Sequence, residues 1–364
     1  YFLTREPGSV GSNVAGMLKC PGLIPAGEMT SYSVDLGEAV AKANWNPEKD
    51  LLRIDFGDQP DTRVTIRNIH FRRRNRAEDA IFKEWEAFRV SDRQQNNRLE
   101  GYLSTTYPAS ITRVEVYDST ILIQGNVDAG KGSRLLCAVR PWESPLNAGE
   151  LDGTEITGKS FTVERPRYEE IDGFNYDHAL SRWMIAGKEG ILSSARYADS
   201  ITPREMMPKG VLKGRKGIGG YHISRGHSSD LVDIPVTSIT VNVWLSRFLH
   251  LDRKENTIEH RFNGRSYYFD AKVVDGYDKT LLEALKHDIV VAAIILVNSA
   301  DQSADPKVGE LLQDENFGGE HAFYTMPNMG SAESVHCYAA ALDFLASRYS
   351  RKDNKFGRIH HWII

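Results

Sequence analysis

Residues 289–298 read IVVAAIILVN, apolar at every position before the closing Asn298 and rich in β-branched side chains. So continuous an apolar run predicts a strand buried on both faces by flanking helices, as in a parallel sheet, rather than the polar–apolar alternation of a half-solvated antiparallel one. Working outward, residues 238–245 (SITVNVWL) supply the strand before it and residues 358–364 (RIHHWII) the strand after it. Amphipathic helices lie between. Over 272–288, Val274, Leu281 and Leu285 keep the helical period behind Asp270 as N-cap. Over 331–350, Val335, Tyr338, Leu342, Leu345 and Tyr349 step by three and four, and Glu333 suits the positive helix start. A weak strand over 218–223 and a short helix from Ser228 come first, and Asn263-Gly264 closes a hairpin between 258–262 and 265–269. Alternating strands and crossover helices predict parallel strands that are neighbours in sequential order. In such sheets the chemistry gathers at the carboxyl ends of the strands, where the loops converge on one rim.

The chain before this region is β-rich. Residues 1–76 show period-two strands over 31–36, 51–56 and 62–71, punctuated by Gly and Pro, as in part of a β-sandwich. The basic cluster from Arg72 to Arg76 is either an anion contact or, the reading favoured by the acidic helix beside it, a solvated exit from a strand. A helix over 78–88 follows, with Ile81, Trp85 and Phe88 on one face, inside a linking segment at 77–100. Residues 101–199 return to short strands with turns at Asp118-Ser119 and 187–190, spaced as in an immunoglobulin-like β-sandwich, where Trp183 is a core residue or a sugar-stacking one. Residues 199–217 form a linker, and 200–364 carry the strand–helix alternation.

With 364 residues, 41% of them hydrophobic and 26% charged, the chain can bury more than one core. A formal net charge of −4 offers no long-range attraction for nucleic acid. No apolar run reaches the roughly 20 residues of a membrane span. The first residue is Tyr1 rather than Met, so the lack of a signal peptide carries no information. Cys20, Cys137 and Cys337 are too scattered for a zinc site or a disulfide framework and read as small buried hydrophobes.

No phosphate-binding loop, nucleophile elbow or HExxH motif is present, and the glycines of 214–220 read as a turn, so no cofactor and no metal is expected. His360 and His361 cannot share an ion, because adjacent strand residues point to opposite faces. Asn242 and Asn298 interrupt apolar strands near their carboxyl ends. A buried amide has to be hydrogen-bonded, so each either caps a loop or faces a polar ligand. Trp244, Tyr324, Asn328, His361 and Trp362 join them as candidate substrate-binding residues, since aromatic faces with amides alongside suit a sugar ring.

The succession of 238–245, 260–298 (HRFNGRSYYFD through IILVN), 323–350 (FYTMPNMGSAESV onward) and 357–364 (GRIHHWII) resembles a bacterial family of largely uncharacterised barrel proteins similar to clan A glycoside hydrolases. The resemblance covers about residues 200–364. It implies a multidomain β plus α/β chain, with N-terminal β-sandwich modules followed by the first half of a (β/α)8 TIM-type barrel. It also implies a secreted, periplasmic or cell-surface protein acting on poly- or oligosaccharide. In clan A enzymes the fourth strand ends in Asn-Glu, the Glu being the acid/base, and a second Glu on the seventh strand is the nucleophile. Counting from Ile218, residues 358–364 are the fourth strand, so both carboxylates are expected beyond Ile364. Glu320, Asp301 and Asp305 are poor substitutes for the two carboxyls that hydrolysis needs. The rival readings are a non-catalytic carbohydrate-binding or surface-interaction protein and an α/β enzyme of another chemistry. A half barrel by itself, with two open sheet edges, is expected to aggregate or dimerise and to lack glycosidase activity.

Overall fold

The computed structural model describes residues 67–68, 70–128, 133–150, 153–188, 190–202, 210–225, 228–317 and 323–364, together with three short strands that precede them. These strands, β1 (Phe2–Leu3), β2 (Val14–Gly16) and β3 (Leu51–Leu52), pair antiparallel in the order β2-β1-β3. The other expectations for residues 1–66, the strand over 31–36 and the burial of Cys20 included, fall outside the described residues. The predicted strand over 62–71 does not run to Phe71: Asn68 has a left-handed φ of 56°, which a continuous strand does not accommodate.

The chain divides into two compact units, Tyr1–Gly101 and Tyr102–Ile364. Helix α1 (Arg76–Ser104) is much longer than the predicted 78–88. It opens on a reciprocal cap: Asn75 Oδ1 accepts from the Glu78 N–H at 3.0 Å, and Glu78 Oε2 accepts from the Asn75 N–H at 2.8 Å. Arg72 bonds both Glu78 oxygens at 2.6 Å, so the basic cluster begins by neutralising the helix entry. That hydrogen bond, joined by the one from Asn75, holds the Glu78 carboxyl down at about 2. Ile81 and Phe88 are exposed, so the apolar stripe read from the sequence stays unburied.

In the second unit, β4 (Ala109–Val116), β5 (Thr120–Val127), β8 (Ser160–Pro166) and β13 (Ser200–Ile201) form one sheet in the order β13-β4-β5-β8. A second has the order β12-β11-β6-β7, from β6 (Arg134–Val139), β7 (Gly153–Glu155), β11 (Arg182–Gly187) and β12 (Gly190–Ile191). Val114, Ile121 and Ile123 of the first meet Leu136, Trp183 and Ile185 of the second in one core. Trp183 is 2% exposed and packs there. A hairpin, β9 (Tyr168–Ile171) and β10 (Phe174–Asp177), projects from these sheets.

The rest of the unit carries β14 (Gly217–Ile218), α2 (Ser228–Asp233), β15 (Ser238–Trp244), β16 (Leu249–His250), β17 (Thr257–Phe262), β18 (Arg265–Asp270), α3 (Ala271–Lys286), β19 (Val290–Asn298), α4 (Pro306–Leu312), β20 (Tyr324–Thr325), α5 (Ala332–Tyr349) and β21 (His361–Ile363). β14, β15, β19 and β21 pair in parallel and in sequence order. The last is shorter than the predicted strand. β17 and β18 form the predicted hairpin, with Asn263 at φ 42° and Gly264 at φ 93°, the doubly left-handed turn that an Asn-Gly pair accommodates. With β16 they make a separate sheet. Asp270 Oδ1 caps α3 by accepting from the Val273 N–H at 2.9 Å, and Ser331 Oγ caps α5 by accepting from the Ser334 N–H at 3.1 Å.

Ile239, Val241, Val243, Val291, Ala293, Ile295 and Val297 are buried against the helices. Each large side chain of this face contributes about 1.5–3 kcal/mol. Asp278 of α3 receives a bidentate pair from Arg348 of α5, with Nε at 2.8 Å, and the Tyr349 hydroxyl at 2.9 Å, which holds the two helices together behind the sheet. On the opposite face Ala292, Ile294 and Leu296 are only half-buried, so the strand is covered fully on one side, whereas its composition predicts burial on both.

Residues 102–199 and 200–364 belong to one unit, and β9–β10 docks on the later hairpin. The Asn175 N–H donates to the Asn263 carbonyl at 2.9 Å, and the Phe174 ring lies 4.0 Å from that of His336. His336 is 4% exposed, its Nδ1 bonds the Tyr267 hydroxyl at 2.7 Å, and burial followed by the Arg265 charge pushes its pKa down to about 4. Above the unfolded value near 6.5 the ring is neutral in both states. As pH falls from about 6.5 to about 4 only the unfolded chain takes up the proton, so up to about 3 kcal/mol of stability is lost over that window. Urea unfolding at several pH values should show a shallower loss in His336→Asn than in the parent chain. At Gly357, φ is 85° and an added Cβ would stand 2.5 Å from the Leu281 carbonyl carbon and 2.7 Å from the Leu282 nitrogen. Gly357→Ala should therefore cost about 3 kcal/mol or more in the same assay.

Candidate functional site

Parallel register fixes which side chains share a face. Ser238 lies opposite Val290, Thr240 opposite Ala292, Asn242 opposite Ile294 and Trp244 opposite Leu296. Because alternate residues point the same way, Ser238, Thr240, Asn242 and Trp244 share the less covered face with Ala292, Ile294, Leu296 and Asn298. His361 and Ile363 extend it, since they lie opposite Ala292 and Ile294. The face is apolar and shallow at its amino end, where Gly217, Ser238, Thr240, Ala292 and His361 line a depression of about 290 Å³. Polarity and aromatic surface increase toward the carboxyl rim.

At that rim Trp244 Nε1 donates to the Tyr324 hydroxyl at 3.1 Å. Tyr324 sits opposite Asn298 where β20 runs back along the end of β19. Asn298 is 0% exposed, and among the described residues neither its Oδ1 nor its Nδ2 has a hydrogen-bond partner. Its backbone is anchored instead, the N–H donating to Ser246 Oγ at 3.0 Å. An amide held out of water with all its donors and acceptors idle costs about 1–3 kcal/mol unless something in the site meets them.

Three of the seven predicted residues, Trp244, Asn298 and Tyr324, therefore come together. Asn242 lies below them on the same face, and its backbone carbonyl accepts from the Tyr277 hydroxyl at 3.2 Å. Gly220, at φ 64°, turns the chain after β14, and a Cβ added there would stand 3.9 Å from the Asn242 amide nitrogen. The other three are elsewhere. Asn328 Oδ1 accepts from the Gly330 N–H at 2.8 Å, which is a turn role. His361 lies beside Ala292, nearer the amino end, and Trp362 points to the opposite face and packs on the helical core. The period of two that separates His360 from His361 separates His361 from Trp362 as well.

Two arginines absent from the sequence reading complete the rim. Arg225, in the loop after β14, and Arg247, in the loop after β15, stand 5.8 and 5.4 Å from the centre of the Trp244 ring. Their charge reaches the neighbours: burial and then Arg225 push the His222 imidazole below its ordinary range, and Arg247 opposes the burial that pushes the Tyr277 hydroxyl up to about 12. Sequence periodicity carries no signal for such contacts, because loop residues meet only once the strands are in register.

The carboxylates weighed as substitutes have other roles or lie outside the described residues. Asp305, 7% exposed, accepts from the N–H groups of Leu251 and Lys307 and caps α4. Asp301 is exposed and accepts from the Gln302 amide at 3.0 Å. Glu320 falls outside the described residues. Cys137 and Cys337 are buried thiols, and burial pushes Cys337 up to about 12. Among the described residues no group of three or more His, Cys, Asp or Glu side chains is arranged to hold a metal ion, and no helix is long and apolar enough to cross a membrane.

Residues 208–364 match a family of unknown function, DUF5722. No curated protein matches the chain. Among solved structures, a crystal structure described as a "putative alpha amylase" from Salmonella typhimurium is similar over 66% of this chain and 42% of its own, at 12% identity and a TM-score of 0.21. The chain thus spans less than half the length of that structure, and a likeness this weak bears on neither fold nor activity.

The idle amide yields a direct test. Asn298→Leu replaces it with an apolar group of similar shape, so in the absence of ligand the variant should be as stable as the parent chain or about 1 kcal/mol more so, whereas Asn298→Ala, which opens a cavity, should lose about 1–3 kcal/mol. Thermal unfolding of both variants checks this. A large loss in Asn298→Leu would mean that the amide has a structural partner.

Proposed function

We propose that residues after Gly217 form the first half of a (β/α)8 barrel, that the sheets before them are β-sandwich modules, and that the chain is part of a glycoside-hydrolase-like protein whose carboxyl rim holds a sugar ring. The observation that carries this reading is Asn298, wholly buried with both amide atoms idle, beside the hydrogen-bonded pair of Trp244 and Tyr324. A pyranose offers C–H faces to stack on an aromatic ring and hydroxyls that both donate and accept, which is what an indole beside an unsatisfied amide can use. The resemblance of 238–245, 260–298 and 357–364 to barrel proteins of the clan A type supports the same assignment.

Hydrolysis needs one carboxyl to protonate the glycosidic oxygen and another to attack or activate water. Asp301 and Asp305 do not form such a pair, one being exposed and the other spent on a helix cap, so the role proposed for these rim residues is binding. Cleavage in the parent protein falls to carboxylates outside this set. A purely carbohydrate-binding protein is the second reading, and it rests on the same rim.

Titration calorimetry with a panel of oligosaccharides tests the proposal. Trp244→Ala should weaken saccharide binding by about tenfold or more, the worth of one stacked ring, with little change in thermal stability because the indole is only half-buried. The chain should release no sugar from the same panel. Binding that is indifferent to Trp244 and Asn298 would remove the rim from consideration.

A further inference from the structure

Seven arginines of the second unit are neutralised by a carboxylate: Arg113, Arg140, Arg167, Arg196, Arg265, Arg348 and Arg351 each form an ion pair. Arg225 and Arg247 differ. Both are exposed, both stand over Trp244, and among the described residues neither has a carboxylate at ion-pair distance. In a chain of net charge −4, two unpaired guanidinium groups on one indole make a local positive site that the overall charge does not require. A guanidinium held by its face over an aromatic ring keeps its N–H edge free, and that edge matches the two oxygens of a carboxylate or a sulfate. The idle, fully buried amide of Asn298 and the Tyr324 hydroxyl lie at the same rim.

We infer that the rim recognises an anionic saccharide, a sugar bearing a carboxylate or sulfate group, which Arg225 and Arg247 hold by its charge while Trp244 takes the ring and Asn298 a hydroxyl. This rests on the carbohydrate reading of the rim and adds the substrate class. An uncharged sugar leaves both guanidinium groups without a counter-charge. An acidic one supplies charge-assisted hydrogen bonds, roughly twice as strong as neutral ones.

The test compares three oligosaccharides of equal length by calorimetry on the full chain: a neutral glucan, a uronic-acid oligomer and a sulfated oligomer, with inorganic sulfate as a fourth probe. At low salt at least one acidic oligomer should bind about tenfold or more tighter than the neutral one, and the advantage should shrink severalfold at high ionic strength. The Arg225→Gln, Arg247→Gln double variant should lose the advantage. The corresponding double Lys variant should recover part of it, because charge is restored without the fork. Lys213→Gln, a charge change in the loop before β14, should leave binding unaltered. The stronger of the two acidic arms identifies the group as carboxylate or sulfate. Equal affinity for neutral and acidic oligomers, both lost in Trp244→Ala, would overturn the acidic specificity and leave the carbohydrate reading standing. Failure of every saccharide to bind would overturn both, and so would binding of inorganic sulfate alone.

Discussion

The pairing of β15 with β19, from Ser238 opposite Val290 to Trp244 opposite Leu296, is the constraint on which the rest depends. One register assigns every side chain of two strands to a face. It sends Ile239, Val241, Val243, Val291, Ala293, Ile295 and Val297 into the helical core. The same step sends Asn242, Trp244 and Asn298 to the other side. A slip of one residue would bury the polar set and expose the apolar one, at a cost of several large side chains, so core packing and rim chemistry are enforced together.

Helices α3 and α5 hold the register from behind. The Asp278 carboxylate accepts from Arg348 and Tyr349 at the edge of the core, where both charges are largely shielded from water. A half-buried bidentate pair of this kind orients more than it stabilises, since desolvation offsets much of the attraction. The hairpin β17–β18 links this assembly to the earlier sheets through Asn263 and the aromatic contacts around His336. The ring of His336 stays neutral because its surroundings are apolar and a guanidinium stands nearby, so the junction between the two parts of the unit depends on one protonation state.

Several core polar groups are satisfied: Asp270, Asp305 and Ser331 cap helices, and Thr280 Oγ1 donates to the Gly276 carbonyl, whereas Trp183 Nε1, His250 Nδ1 and His336 Nε2 each lack a hydrogen-bond partner among the described residues. At the rim, among the described residues, Asn298 has neither of its amide atoms partnered, and Arg225 and Arg247 have an indole but no counter-charge. Unmet hydrogen-bonding capacity beside an aromatic face is costly to keep and is found where a ligand meets it.

By itself the sequence determined the elements that local patterning controls. The apolar run at 289–298, the helical steps of 331–350, the Asn263-Gly264 turn and the cap at Asp270 are all encoded within a few residues, and the structure forms each of them. It also singled out Asn298 and Trp244, because a polar residue at the end of an apolar strand is visible without knowledge of the fold. Tertiary structure decided the rest. Helices cover one side of β19 fully and the other only in part, which composition does not reveal, because Ala292, Ile294 and Leu296 read as buried whatever covers them. His361 and Trp362 fell on opposite faces and away from the rim, because their place depends on the pairing of β21 with the middle of β19. Arg225 and Arg247 met on Trp244 from two loops, a contact with no periodicity to announce it. Local patterns record the conformation of a segment; which segments converge on one rim depends on register and crossover, and these are set only when the core packs.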